Sequence, residues 1–446
     1  MKSSELVFIP APIIGHLVST IGIAKRLIYH DDRLSVMILC TKFPLTPFAD
    51  AYVKSLVGSK TRIKLIHLPH VHPPRRELLL KSEEHYLYVY IESLVPHVRN
   101  TLKNIVSSHS NSQSTRVSGL VLDFFCMPMS VVGNELVLPS YMFMTCNLGF
   151  LSLMLHLPTH HDLIGTVFKV SDPDVILPGF TNAVPVRVLP SPMFDKDGGY
   201  TTFIKLAQRG KPLQSMQSDQ WLNSKGQPHP NMDQAQPEKI TKWLDEQPDC
   251  SVLFLCFGCI GRYFGASQLK EIAHGLERSG NRFLWCVRSQ QPTKSAFEEV
   301  TLTEGFLERT KGRGMICEWA PQVEVLAHKA VGGFVSHCGW NSILESLWCG
   351  EPIATWPIYA EQQLNAFRMV REFGLAVEMR LESRDGRDVV IAEEIEMAAR
   401  RLMEGESELR KKVKEMSKMA RNAVAERGSS FKALGQLVQD LVCSDF

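Results

Sequence analysis

Short apolar runs alternate along this chain with longer segments in which apolar residues recur at helical spacing. In the first half the runs fall at residues 6–9, 34–40, 63–68, 119–122 and 139–143, and a helical pattern covers 17–29 after the first of them. A second series follows a predicted helix at 237–246, with runs at 252–256, 283–287, 315–317, 333–335, 353–356 and 375–379. Strands separated by helices predict parallel sheets covered on both faces, so the fold class is α/β with two doubly wound sheets. Charged helical segments at 392–425 and an amphipathic one at 430–442 close the chain. Between the two series, residues 208–236 are rich in Gln, Ser, Asn, Gly and Pro without periodicity and read as a linker.

Composition narrows the function classes. At 446 residues the chain exceeds what one core supports, which agrees with two domains. A hydrophobic share of 44% and a charged share of 22% are those of a soluble globular protein. A net charge of +2 supplies no global attraction to nucleic acid or to an anionic membrane, and no apolar segment is long enough to span one. The first apolar run is too short for a signal peptide, and eleven cysteines in mostly apolar contexts, such as Cys40 and Cys286, suit reduced thiols; both predict a cytoplasmic protein. Cys256 and Cys259 form one C-x-x-C without a second pair at zinc spacing, so they read as structural. Two histidine groups, His67 with His70 and His72, and His156 with His160 and His161, lack an acidic partner at metal spacing and read as surface loops. No G-x-G-x-x-G follows the first run, which counts against a nicotinamide dehydrogenase.

Open parallel sheets carry their chemistry at the carboxyl ends of the strands. In the first half those positions hold Gly15-His16 and, after Val121-Leu122, Asp123. A carboxylate bonded to one imidazole nitrogen fixes the tautomer and leaves the other nitrogen to take a proton from an alcohol. Phe124, Phe125, Phe143 and Phe150 lie near these positions in sequence and are candidates to line a pocket for a lipophilic acceptor.

The second half is densest between Trp319 and Gln362. A buried strand at Phe334-Val335-Ser336 turns at Gly339 into a helix opening with Asn341-Ser342, and such a junction offers backbone N–H groups and a helix dipole to an anion. His337, Trp340, Asn341 and Ser342 add side-chain donors, so a diphosphate fits. Glu345, one turn on, is placed for a ribose diol, and Trp319 offers a flat face to a base. Glu361-Gln362 sets an acceptor beside an amide, a pair suited to sugar hydroxyls.

These residues in this order closely resemble the signature box of plant family-1 UDP-dependent glycosyltransferases, and the resemblance covers nearly the whole chain. It implies two facing Rossmann-like domains of the GT-B type with a central cleft: 1–209 for the acceptor, a linker at 210–236, 237–428 for the UDP-sugar, and a helix at 429–446 that returns to the first domain. By the same resemblance Trp319, beside Ala320, stacks on uracil, Gln322 and Glu345 hold the ribose, and His337, Trp340, Asn341 and Ser342 grip the diphosphate. Glu361 and Gln362 bind the sugar, with Gln362 favouring glucose because galactose-using relatives resemble one another in having histidine there. His16 is the base and Asp123 its partner. Cys259 stands where serine is usual, a weaker donor to phosphate.

The implied reaction is an inverting transfer from UDP-glucose to a small lipophilic acceptor, without cofactor or metal, by a monomer. The resemblance is strongest to a legume branch acting on flavonoids, isoflavonoids and triterpenes. One stretch departs from the family: between residues 200–209 and Gly226-Gln227-Pro228, relatives carry the last strand of the first sheet, a helix and a crossing segment, which are expected to be missing here. Two readings follow, an active transferase or a nucleotide-sugar-binding chain impaired by that loss.

Overall fold

The computed structural model describes residues 3–43, 50–57, 62–110, 115–210, 214–217, 235–258, 264–287, 305–382 and 389–443. Six parallel strands form the first sheet: β1 Ser3–Ile9, β2 Leu34–Cys40, β3 Ile63–His67, β4 Thr115–Asp123, β5 Ser140–Met144 and β6 Gln214–Gln217, in the order β3-β2-β1-β4-β5-β6. The second repeats the plan with β7 Val252–Cys256, β8 Arg282–Cys286, β9 Gly314–Cys317, β10 Val331–Ser336, β11 Ile353–Thr355 and β12 Ala376–Glu378, in the order β12-β11-β10-β7-β8-β9. Each sheet therefore reverses direction beside its first strand, at β1/β4 and at β7/β10. Those two switch points are where an open parallel sheet leaves a crevice at its carboxyl edge.

The continuous apolar runs arise because both faces of each sheet are covered. Side chains alternate along a strand. Leu6 and Phe8 of β1 pack with Leu17, Ile21 and Leu27 of the helix Ile14–His30, while Val7 and Ile9 pack with Tyr90, Ile91, Leu94 and Val98 of the helix Glu83–Ser110. In β7, Val252 and Phe254 face Ile343 and Leu347 of the helix Trp340–Cys349, and Leu253 and Leu255 face Leu269, Ile272 and Leu276 of the helix Ala266–Ser279.

The last helix, Ser429–Cys443, packs on the first sheet's helical layer. Val438 and Leu441 join the cluster of Leu6 and Phe8, Phe431 lies 4.2 Å from His30 between ring centroids, and Arg116 donates to the Val442 carbonyl at 3.1 Å. The charged helical segments expected at 392–425 are two helices, Ala392–Leu402 and Glu408–Val424, with Ser407 capping the second.

The expectation that the first sheet has lost its final strand is corrected. Gln214–Gln217 supplies β6, pairing in parallel with β5 from Tyr141↔Gln214 to Met144↔Gln217. An edge strand needs only backbone N–H and C=O groups in an extended segment, so a polar stretch without apolar patterning fills the place, and periodicity does not reveal it. The remainder of the expected linker, 218–234, including Gly226-Gln227-Pro228, lies outside the described residues. Among the described residues no helix is long and apolar enough to cross a membrane.

Candidate active site

At the first switch point the chain leaves β1 through two prolines and enters the helix Ile14–His30, which puts His16 in that helix's first turn. Asp123 ends β4 and caps the 3-10 turn Phe124–Met129, accepting from the Phe125 N–H at 2.9 Å through one carboxylate oxygen. The other oxygen lies 2.7 Å from His16 Nδ1. A carboxylate only accepts, so Nδ1 carries the proton and Nε2 is left as the basic nitrogen. Thr145, just past the end of β5, places Oγ1 3.0 Å from the same Nδ1. Sequence reasoning missed it, although it obeys the carboxyl-end rule that singled out the other two. The Asp123 side chain is fully buried while the His16 ring keeps 21% of its surface exposed, so the dyad is anchored on one side and open on the other. Burial works against the charged imidazole, but the Asp123 charge and hydrogen bond, with a further contribution from Glu361, outweigh it and raise the His16 pKa above 6.5.

At the second switch point, β10 ends at Ser336 and the chain turns through His337, Cys338 and Gly339 into the helix Trp340–Cys349. The His337 ring fits between two glycines: a Cβ on Gly258 would come within 2.8 Å of its Nε2, and one on Gly339 within 2.5 Å. Among the described residues no side chain caps the Trp340–Cys349 helix, so its first-turn N–H groups and dipole are directed at this turn. The Trp340 indole nitrogen and the Asn341 amide oxygen are buried without a hydrogen-bond partner among the described residues. Gln322 donates to Ser342 Oγ at 2.9 Å and to Glu345 Oε2 at 2.7 Å. Burial pushes the Glu345 carboxyl up to about 7, against the bond from Gln322. Trp319 and Ala320, just past the end of β9, are both buried.

Glu361 stands immediately before the short helix Gln362–Phe367, without a side-chain bond to that helix's N–H groups. Gln362 accepts from the Ile358 and Tyr359 N–H groups at 2.9 and 3.1 Å, so its oxygen is committed to the loop and its amide nitrogen remains as a donor. Burial raises the Glu361 carboxyl, and His16 pulls it back. That electrostatic contact joins the two halves, as does the approach of Gly15 to Asn341, where a Cβ would lie 3.7 Å from the amide nitrogen. The histidine–aspartate pair and the turn from Ser336 into the helix Trp340–Cys349 therefore face one another across a single cleft.

Of the aromatic candidates, Phe124, Phe125 and Phe150 come together beside the dyad, with Phe125 5.7 Å from His16 and Phe124 5.8 Å from Phe150 between centroids. Phe203, from the helix Gly199–Gly210, completes the group at 6.0, 6.1 and 5.9 Å from Phe124, Phe125 and Phe150, and was not anticipated because its helix is distant in sequence. Phe143 is a correction. It points with Tyr141 to the opposite face of β5 and is core beside Phe8 and Leu27, whereas Met142 and Met144 join the buried cluster that holds Phe124 and Phe150. A second correction concerns His156, His160 and His161, which belong to the helix Leu148–Ile164 and not to a loop; His160 stacks on Phe168 at 4.0 Å. Cys259 lies outside the described residues. Among the described residues no group of three His, Cys, Asp or Glu side chains is arranged to hold a metal.

Comparison with known proteins agrees with this geometry. Residues 222–421 match the family pattern of UDP-glucoronosyl and UDP-glucosyl transferases. The chain is 49% identical to UDP-glycosyltransferase 71K1 of Malus domestica over 480 positions, covering 99% of each protein, and 44% identical to flavonol 3-O-glucosyltransferase UGT71C1 of Arabidopsis thaliana, covering 99% of this chain and 98% of that one. The first alignment runs 34 positions beyond the 446 residues present here, so at least that many positions of the apple protein have no counterpart. Among solved structures, UGT71G1 of Medicago truncatula complexed with UDP-glucose superposes with a TM-score of 0.90 at 50% identity, over 98% of both chains. Two switch-point crevices facing across one cleft, in a chain this similar from end to end, place it in the family of UDP-glycosyltransferases.

Proposed function

We propose that this chain transfers glucose from UDP-glucose to a hydroxyl of a small lipophilic acceptor of the flavonoid, isoflavonoid or triterpene type, with inversion to a β-glucoside. The observation that carries the reading is the His16–Asp123 pair held open to the cleft, opposite the helix start at Trp340–Cys349. His16 Nε2 takes the acceptor proton as the acceptor oxygen attacks the anomeric carbon, and the bond from that carbon to the diphosphate oxygen breaks on the far side. The charge left on UDP is stabilised by His337, Trp340, Asn341, Ser342 and the helix N-terminus. Trp319 stacks on the base beside Ala320, Gln322 and Glu345 hold the ribose, and Glu361 and Gln362 orient the sugar. Phe124, Phe125, Phe150 and Phe203 form the wall against which a flat acceptor lies. Nine cysteines, from Cys40 to Cys349, are free thiols, which supports a reducing, cytoplasmic setting. Incubation with UDP-glucose and a panel of flavonoids, read by mass spectrometry, tests the assignment; absence of any glucoside overturns it.

The donor preference follows from the Gln362 amide nitrogen, which is left free to donate once the side-chain oxygen is tied to the loop. In direct competition between UDP-glucose and UDP-galactose the glucoside is expected as main product. A galactoside as main product would remove this role from Gln362.

The second reading, an impaired nucleotide-sugar-binding chain, draws on the positions missing relative to the apple protein. Weighing against it is β6, which pairs the outer edge of β5 and leaves that strand no open backbone edge. Grafting a relative's longer segment between Arg209 and Gly226 is therefore expected to leave glucosyl transfer and melting temperature near those of the native chain. A large gain in both would establish the impaired reading.

A further inference from the structure

The segment that follows Glu361 belongs to the second domain in sequence and to both domains in packing. Ala366 and Met369 enter the core around Phe334, while Leu364 and Phe367 enter the core of the first domain with Phe150 and Leu153. Arg368 lies 4.8 Å from the Phe180 ring centroid and 4.9 Å from that of Phe373, and Glu372 accepts from the Thr181 and Asn182 N–H groups at 2.7 and 3.1 Å. At the inner end of this arm two fully enclosed amides meet. Asn147 Nδ2 donates to Asn365 Oδ1, while Asn147 Oδ1 accepts from the Phe150 N–H at 2.9 Å and caps the helix Leu148–Ile164. Asn365 Nδ2 donates in turn to the Cys338 carbonyl at 2.9 Å and to Glu361 Oε1 at 3.3 Å.

Asn365 thus touches the anion turn through Cys338, the sugar loop through Glu361, and the first domain through Asn147, two residues beyond Thr145 on His16. Each amide uses both its ends, so neither can rotate without leaving a buried group unsatisfied. We propose that Asn147 and Asn365 form a positioning lock that registers the sugar-binding loop against the acceptor side of the cleft. The lock sets the distance from His16 to the anomeric carbon. It rests on the reading of Glu361 and Gln362 as the sugar loop. Close docking is built into the backbone as well: a Cβ on Gly149 would lie 2.7 Å from Arg368 Cδ and 2.8 Å from the Phe180 ring.

Asn147→Asp tests the proposal because it keeps an oxygen for the Phe150 cap and replaces the donor to Asn365 by an acceptor. If Asn365 flips to meet it, Cys338 and Glu361 lose their donor. The expected result is a kcat for glucosyl transfer lower by about 10- to 100-fold, the cost of reacting groups held out of register. UDP affinity stays unchanged, and a larger share of UDP-glucose is lost to water relative to acceptor. Should Asp at this position lower the melting temperature, Asn147→Ser, which keeps a cap oxygen but cannot reach Asn365, carries the same measurements. A fall in UDP affinity in step with kcat overturns the lock by making the pair part of the nucleotide site. Normal kcat in Asn147→Asp beside an impaired Glu361→Gln overturns the lock alone. Normal kcat in both overturns the sugar-loop reading and the lock with it.

Discussion

Replacing His16 by alanine is expected to lower glucosyl transfer by about 100- to 10,000-fold, the usual range for loss of a general base. UDP affinity should persist, because the residues proposed to hold the nucleotide belong to the second sheet's half of the chain. The effect is large because the other imidazole paired with a buried carboxylate at 2.7 Å among the described residues, His109 with Glu5, lies towards the amino end of β1 and not at the carboxyl edge that holds His16. The pH profile supplies an independent check. The base must be neutral, and the His16 pKa is raised above 6.5, so the acid limb of kcat/KM lies above that value. Asp123→Asn removes the charge that outweighs burial; the limb then shifts to lower pH while the maximal rate falls, since an amide at 123 no longer enforces the tautomer. Linkage to stability has a defined sign. With the folded pKa raised, the stabilisation from the charged His16–Asp123 pair is fully present below pH 6.5 and is lost as pH rises through the folded value. Near-normal turnover in His16→Ala would remove the mechanism proposed above.

Glu345→Gln is expected to weaken UDP binding by about 10- to 100-fold, since a hydrogen bond to a charged group contributes roughly 1.5–3 kcal/mol. The physical argument starts from burial, which holds the unliganded carboxyl at about 7 and so keeps much of it protonated near neutrality. A ribose diol donates hydrogen bonds and favours the ionised form, so UDP binding pulls this pKa down and releases a proton. Affinity should therefore rise as pH increases towards about 7 and level off above it. The unliganded protein shows the opposite trend: a carboxyl raised above its ordinary 4.5 contributes stability fully below that pH, and the contribution is lost as pH rises through about 7. Calorimetry in buffers of different ionisation heats measures the released proton directly. A pH-independent affinity that is also unchanged in Glu345→Gln would take the ribose contact away from this residue.

Elements and chemistry were legible in the chain to different degrees, for reasons that lie in the physics of each. Sequence alone determined strands such as Leu34–Cys40 and Val252–Cys256, because a strand covered on both faces must be apolar almost throughout and few other segments are. It determined His16, Asp123, His337 and Glu361 as candidates too, because open parallel sheets put their chemistry directly after strands, a local relation. Contacts between segments far apart in sequence were left to the tertiary structure. Phe143 and Met142 are equally apolar neighbours, and only the pairing of β5 with β4 decides which one packs on the side of Phe124 and Phe150. The polar strand β6 exists because β5 leaves an edge to be paired, a requirement of backbone and not of side chain. Thr145, Phe203 and the Asn147–Asn365 contact acquire meaning only once chain positions 129, 79 or 218 apart have been folded together to bring their partners within reach.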